Sequence, residues 1–193
     1  MDTIATKITE YILKKDIISK ENFEIYKYGF VCFIELALST LTSVVISLYL
    51  GMFLECLFFF LLFIPLRSFG GGIHMDKYWQ CYIVSCAVLT VSLLLVKYVT
   101  LPTWASMLMI IVGVISLYII GPINHANRDV TKEENAIFIK RTNITLALSI
   151  IISFILLFLK NSKFLFLEAI VFMFLLSTAV LVKFQQRKKQ ILD

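Results

Sequence analysis

The residues best suited to chemistry are a histidine and a cysteine that follow the only cluster of glycines in the chain. Gly70–Gly72 lie just before His74, and Cys81 comes seven residues after the histidine, where an apolar run begins. Consecutive glycines allow positive φ angles and close approach of the backbone to another group. An imidazole can deprotonate a thiol and later protonate a leaving amine, as acyl transfer through a cysteine requires. The stretch from residue 67 to residue 81 therefore indicates a cysteine nucleophile.

The composition predicts a membrane protein. Of the 193 residues, 60% are hydrophobic and 16% are charged, and the mean hydropathy is +0.90. A soluble domain is closer to half apolar and a quarter charged. The basic residues behind the net charge of +5 lie in short segments between apolar runs, which argues against a nucleic-acid partner.

Turn residues divide the apolar sequence into six predicted spans in one all-α domain, residues 1–193. Gly51 splits the run 28–66 into a helical hairpin, and Pro65 and Arg67 are expected to end its second helix. Each remaining span is close to the length that crosses a bilayer. The other predicted spans cover residues 78–96, 104–120, 143–159 and 164–182, with a polar loop at 122–141 and a basic tail at 183–193.

The segment before the first span, residues 1–27, is predicted to be an amphipathic helix in the membrane surface. Ile4, Ile8, Tyr11 and Ile12 recur at helical spacing, and lysines occupy other positions of the helix. Such a helix buries its apolar face in the lipid and directs its lysines toward anionic headgroups. The alternative is an ordinary solvated tail.

The lysines and arginines predict the orientation. Fifteen of the eighteen lie in segments that six spans place on one side, and only Lys97, Lys160 and Lys163 lie on the other. Cytoplasmic segments of membrane proteins carry this excess. Both termini, the glycine segment and the polar loop are therefore predicted to be cytoplasmic.

This topology places Cys81 in the first turn of the third span, at the cytoplasmic membrane boundary. The unpaired N–H groups and partial positive charge of a helix N-terminus stabilise a thiolate, as does a protonated imidazole. The glycines could fold His74 back onto Cys81, or an earlier helix start would stack the two on one face, two turns apart. The alternative is a solvated or structural His74 beside an inert Cys81.

The order of these residues resembles the signature of the accessory gene regulator B family, membrane-embedded cysteine endopeptidases of Gram-positive quorum-sensing systems. The signature is carried by Arg67, then Gly70, Gly71 and Gly72, then His74, then Cys81 and Tyr82. The resemblance extends over the whole chain. It includes Gly121-Pro122, which resembles a family motif at the end of the fourth span, and the polar residues after it.

The resemblance implies a substrate, a reaction and a location. The substrate is a short precursor peptide with an amphipathic leader and an acidic C-terminal tail, and the location is the cell membrane of a Gram-positive bacterium. Cys81 is the implied nucleophile and His74 the base, while Arg67, the three glycines and Pro122 are supporting residues. The cysteine releases the tail and forms a thioester, from which the signal segment closes a thiolactone or lactone ring. No cofactor is implied.

The remaining polar residues have structural interpretations. Cys32, Cys56 and Cys86 are predicted to be buried small hydrophobes, and no metal-binding cysteine spacing occurs. Glutamates inside apolar runs suggest function by default, although pairing with lysine or snorkelling is at least as good an explanation for Glu55 and Glu168. Glu35 could face Arg67, and His125 is interpreted as a solvated loop residue.

Two other function classes stay open at this point. A small peptide exporter without covalent chemistry would need mid-membrane charges or an inverted repeat, and neither is clear in the sequence. A purely structural membrane subunit would leave the glycine, histidine and cysteine cluster unexplained. The apolar surface of six short spans is compatible with a homodimer.

Overall fold

The computed structural model describes residues 2–70, 78–121 and 132–192, and all regular structure within them is helical. The predicted all-α class is confirmed. The helices are α1 (Asp2–Lys14), α2 (Phe23–Leu50), α3 (Phe53–Gly70), α4 (Tyr78–Tyr98), α5 (Thr103–Ile120), α6 (Lys132–Phe158) and α7 (Ser162–Leu192), with a 3-10 turn at Lys20–Asn22 before α2.

The hairpin between α2 and α3 turns at the predicted glycine. Gly51 adopts φ +69°, and its N–H donates to the Leu48 carbonyl at 3.1 Å while the Met52 N–H donates to the Ser47 carbonyl at 2.8 Å. A left-handed residue with these bonds satisfies the last carbonyls of a helix. The chain therefore reverses within two residues.

At one end of the bundle, the Gly70 end where α3 finishes and α4 begins, three helices extend beyond the predicted spans, and the predicted end of α3 at Pro65 and Arg67 is wrong. α3 continues through Pro65 to Gly70, α6 begins at Lys132 inside the predicted loop, and α7 continues to Leu192 through the predicted tail. Proline removes one helical N–H bond without requiring the helix to stop. Lysine, glutamate, glutamine and arginine are good helix formers, so polarity ends a span here without ending the helix.

The N-terminal prediction is also too long. α1 ends at Lys14, and α2 begins at Phe23, well before the predicted start of the first span at residue 28. α1 packs against α2 through the fully buried Ala5 and Thr9, and Asp2 pairs with Lys27 at 3.4 Å. The predicted apolar face stays largely uncovered, since Ile4 is 56% exposed. Its burial in lipid stays a prediction.

α7 is the centre of the bundle. It packs against α3, α4, α5 and α6, and 56% of its apolar segment is buried, against 11–28% for the other three long apolar helices. Leu167, Val171 and Phe172 are fully buried along it. α5 runs beside α7 at very close range, because a Cβ atom at Gly113 would lie 2.7 Å from the Cβ of Phe172.

At the opposite end of the bundle, the Gly51 end, two lysines make contacts between helix ends. Lys97 Nζ, at the end of α4, donates to the Leu50 carbonyl at 2.9 Å. Lys163, at the start of α7, forms an ion pair with Glu55 at the start of α3. These contacts link the end of α4 to the end of α2 and the start of α7 to the start of α3.

Four helical segments within the described residues are long and apolar enough to cross a membrane. They are Lys20–Leu50, Thr103–Ile120, Asn135–Phe158 and Ser162–Phe184. The described apolar part of α4, Tyr82–Tyr98, is shorter. The chain is thus a multi-pass membrane protein by length and composition of its helices. Six spans with both termini in the cytoplasm stay a prediction.

Candidate functional site

The Gly70 end of the bundle carries the predicted site residues that the structure describes. Arg67 lies in the last turn of α3, and Gly70 is the final residue of that helix. Cys81 is the fourth residue of α4, so its backbone lies in the first turn, as predicted. α3 and α4 pack against each other. The hairpin topology therefore brings the end of one helix and the start of the other to the same edge of the bundle.

The other predicted site residues fall outside the described residues. These are His74, Gly71, Gly72 and Pro122, and the side chain of Cys81 falls outside them as well. The pairing of histidine with cysteine therefore stays a prediction. What the structure contributes is the position of the helix that carries the cysteine and of the groups around it.

Arg67 is held by the aromatic core of α3. Its guanidinium carbon lies 5.6 Å from the ring centroid of Phe63, within cation–π range. Phe63 is only 8% exposed and stacks on Phe59 with ring centroids 5.0 Å apart. Because Pro65 does not end the helix, Arg67 keeps helical register with Phe63 one turn earlier. A half-buried cation is thus fixed at the edge where α4 begins.

The first turn of α4 is attached to α2 by a hydrogen bond between side chains. The hydroxyl of Tyr82 lies 2.9 Å from Oγ1 of Thr42, and both side chains are half-buried. Trp79 packs edge-on against the Tyr82 ring, with centroids 6.0 Å apart. Tyr82 was noted in the sequence only as the neighbour of Cys81. Its partner Thr42 was missed, because a threonine in an apolar run carries no signal of what it faces.

The three other cysteines differ in exposure. Cys56 is fully buried, and its Sγ lies 3.9 Å from the Ser43 carbonyl, which confirms a structural thiol. Cys86 is half-buried. Cys32 is exposed on α2, so the prediction of burial is wrong for it. In the described part of the chain, no group of three or more His, Cys, Asp or Glu side chains is placed to hold a metal ion.

The two glutamates near helix ends have different surroundings. Glu55 pairs with Lys163, as the lysine alternative predicted. Glu168 is 0% exposed, and neither carboxyl oxygen has a hydrogen-bond partner among the described residues. Snorkelling and lysine pairing are therefore wrong for Glu168. The Ser153 hydroxyl lies close to this carboxyl group. It donates its hydrogen to the Ser149 carbonyl at 3.0 Å instead.

Comparison with known protein families gives a match over most of the chain. The family model described as "Accessory gene regulator B" matches residues 5–181. The matched region begins within α1, includes the described helices α2 to α6 in full and ends within the apolar part of α7. No curated protein and no solved structure matches the chain.

Proposed function

Because this chain belongs to the accessory gene regulator B family, we propose that it is a membrane-embedded cysteine endopeptidase acting on a quorum-sensing precursor peptide. Family membership indicates a part in the processing of such peptides. The observation that carries the finer proposal is the position of Cys81 in the first turn of α4, at the edge that Arg67 also occupies. A helix N-terminus favours a thiolate there.

The proposed reaction proceeds in two acyl transfers. The Cys81 thiolate attacks the carbonyl carbon of the peptide bond before the acidic tail. A carbon–sulfur bond forms, the carbon–nitrogen bond breaks, and the departing amine takes the proton that His74 removed from the thiol. A thiol or hydroxyl of the signal segment then attacks the thioester, closes the ring and returns Cys81 to its starting state. Since one acyl bond replaces another, no oxidant or cofactor is needed.

The proposed arrangement in the membrane follows from the charge distribution. We infer six spans with both termini and the Gly70 end on the cytoplasmic side of a Gram-positive cell membrane. Fifteen of the eighteen lysines and arginines would then face the cytoplasm. This basic surface would steer an acidic precursor tail toward the site. The amphipathic leader would reach the same site by first binding the membrane surface. Pairing of two copies through the apolar surface stays part of this proposal.

The test is co-expression with the precursor peptide encoded beside this gene, followed by mass spectrometry of the products. Cys81→Ala and His74→Ala should abolish release of the tail, because each removes one half of the acyl-transfer pair. Cys32→Ala, at an exposed cysteine on α2, and His125→Ala are the matched controls, and both should keep tail release. Continued tail release by Cys81→Ala would disprove the protease proposal.

Peptide export without covalent chemistry is the alternative, and one observation now favours it. Glu168 is a fully buried carboxyl group inside the bundle, and ionisable groups inside membrane bundles often mark transport pathways. The same experiment separates the two functions. An exporter without covalent chemistry would leave peptide cleavage unaffected by Cys81→Ala, whereas the endopeptidase would lose it.

A further inference from the structure

The hydroxyl pair of Tyr82 and Thr42 is the described polar contact closest in sequence to the proposed nucleophile. The oxygen–oxygen distance of 2.9 Å lies within the range of a hydroxyl–hydroxyl hydrogen bond. Both groups are half-buried between α2 and α4. A hydrogen bond between the side chains of two packed helices favours one relative position of the pair.

This bond acts on the position of Cys81 through the backbone. Tyr82 is the next residue along α4, and successive residues of an α-helix point about 100° apart. Fixing the Tyr82 side chain on α2 therefore fixes both the rotation of the first turn and its depth in the bundle. Trp79, packed edge-on against the Tyr82 ring, supports the same turn from the other side of Cys81.

A second contact holds the opposite end of the same helix pair. Lys97 Nζ donates to the Leu50 carbonyl at the end of α2. Tyr82 and Lys97 are fifteen residues apart, which is about 22 Å along a helix. α4 is thus attached to α2 near both of its ends. With the far end held by Lys97, the Tyr82–Thr42 bond decides how the near end, with Cys81, is oriented.

We propose that Tyr82 and Thr42 are positioning residues that hold the first turn of α4 against α2 and so orient Cys81 for attack. The inference rests on the proposed function for what Cys81 does. Neither residue is assigned a contact with the substrate. Their loss should therefore reduce the rate of the chemical step and leave substrate binding unchanged.

The experiment uses the full chain in detergent or membranes, with Tyr82→Phe, Thr42→Val and the double variant. We expect kcat for tail release to fall about tenfold in each single variant with KM unchanged, because a displacement of about 1 Å at a reacting group costs up to about a hundredfold. The double variant should be no slower than either single variant, since both remove the same bond. Tyr118→Phe, which removes the hydroxyl of a 66% exposed tyrosine on α5, is the control and should match the wild type.

A measurement that needs no substrate separates this proposal from the proposed function. The alkylation rate of Cys81, read by mass spectrometry and divided by that of Cys32 in the same sample, should change several-fold in Tyr82→Phe and not in Tyr118→Phe. Wild-type protein that never releases a tail would disprove the protease proposal while leaving this ratio informative. Additive losses in the double variant, or an unchanged ratio with unchanged kcat, would disprove the positioning role.

Variants at Thr42 test the same hydrogen bond without changing the tyrosine, so a folding defect of Tyr82→Phe does not affect them. Thr42→Ser keeps a hydroxyl, and Thr42→Val keeps the shape of threonine without it. We expect Thr42→Ser to retain the wild-type kcat within about twofold and Thr42→Val to show the loss. Equal behaviour of the two variants would mean that the hydroxyl has no positioning role.

Discussion

Glu55 and Glu168 are both buried in the bundle, but within the described residues only Glu55 has a charged partner. Its pairing with Lys163 ties α3 to α7 at the Gly51 end. Glu168 lies two turns into α7 with both carboxyl oxygens unsatisfied. A buried polar group without a hydrogen bond costs free energy that an apolar side chain of similar size does not. At the scale of the residue, Glu168 is the described side chain with two buried polar atoms that lack a hydrogen bond.

Replacement of this carboxyl group should stabilise the protein. Glu168→Met removes an unsatisfied group worth about 1–3 kcal/mol and keeps the side-chain volume. The variant should therefore melt at a higher temperature than the wild type in the same detergent. Glu55→Met is the matched control and should not melt higher to the same extent, because it removes a carboxylate that already has a partner in Lys163. A lower melting temperature for Glu168→Met would show that the carboxyl group has a stabilising partner.

At the scale of the element, α5 and α7 pack at close range where Gly113 meets Phe172. Ser106, Ile110 and Gly113 form the buried stripe of α5. Phe172 of α7 lies directly against the glycine and is itself fully buried. Small residues allow helices in membranes to pack at short range. Because Gly113 has no side chain, α5 can pack closely against Phe172 of the central helix α7.

Adding a methyl group at this contact should be costly. Gly113→Ala would place a Cβ atom 2.7 Å from the Cβ of Phe172, and overpacking of this kind typically costs about 1–3 kcal/mol. Thermal unfolding should show a lower melting temperature. Gly29→Ala is the control, since nothing lies within 4 Å of a Cβ atom there, and alanine is the better helix former. An unchanged melting temperature for Gly113→Ala would mean that α5 and α7 can move apart freely.

At the scale of the whole molecule, the side of the membrane that faces the Gly70 end depends on the number of spans. Four described segments satisfy the length and hydropathy of a span, and whether α3 and α4 cross as well is a separate question. If only those four cross, the segment from α3 to α4 lies outside the cell, together with Cys81. If α3 and α4 cross as well, the same segment lies in the cytoplasm, where an unprocessed precursor would be found.

Cysteine accessibility distinguishes these arrangements. Ser68 is exposed at the end of α3. Six spans place this residue, and a cysteine substituted for it, inside the cell. An impermeant maleimide should therefore label it only after permeabilisation. Thr100→Cys, exposed after α4, lies outside in both arrangements and should be labelled in intact cells. Labelling of Ser68→Cys in intact cells would overturn the six-span arrangement and with it the proposed cytoplasmic site.

Much of the architecture could be predicted from the chain alone. Long apolar runs must form helices in a membrane, because unpaired backbone groups are too costly there. Gly51 had to supply a left-handed turn between two such runs. The ends of α6 and α7 could not be placed by the same reasoning. Hydropathy reports where the lipid ends, whereas a polar segment of good helix formers continues the helix beyond it.

The sequence by itself determined the helical class, the family resemblance and the helix whose first turn carries Cys81, because these follow from local periodicity and residue order. Only the tertiary structure decided which side chains meet across helices. Thr42 lies forty residues from Tyr82, and Glu55 lies 108 residues from Lys163. Such pairs depend on how α2, α3, α4 and α7 rotate when they pack, and that rotation is set by the whole core at once.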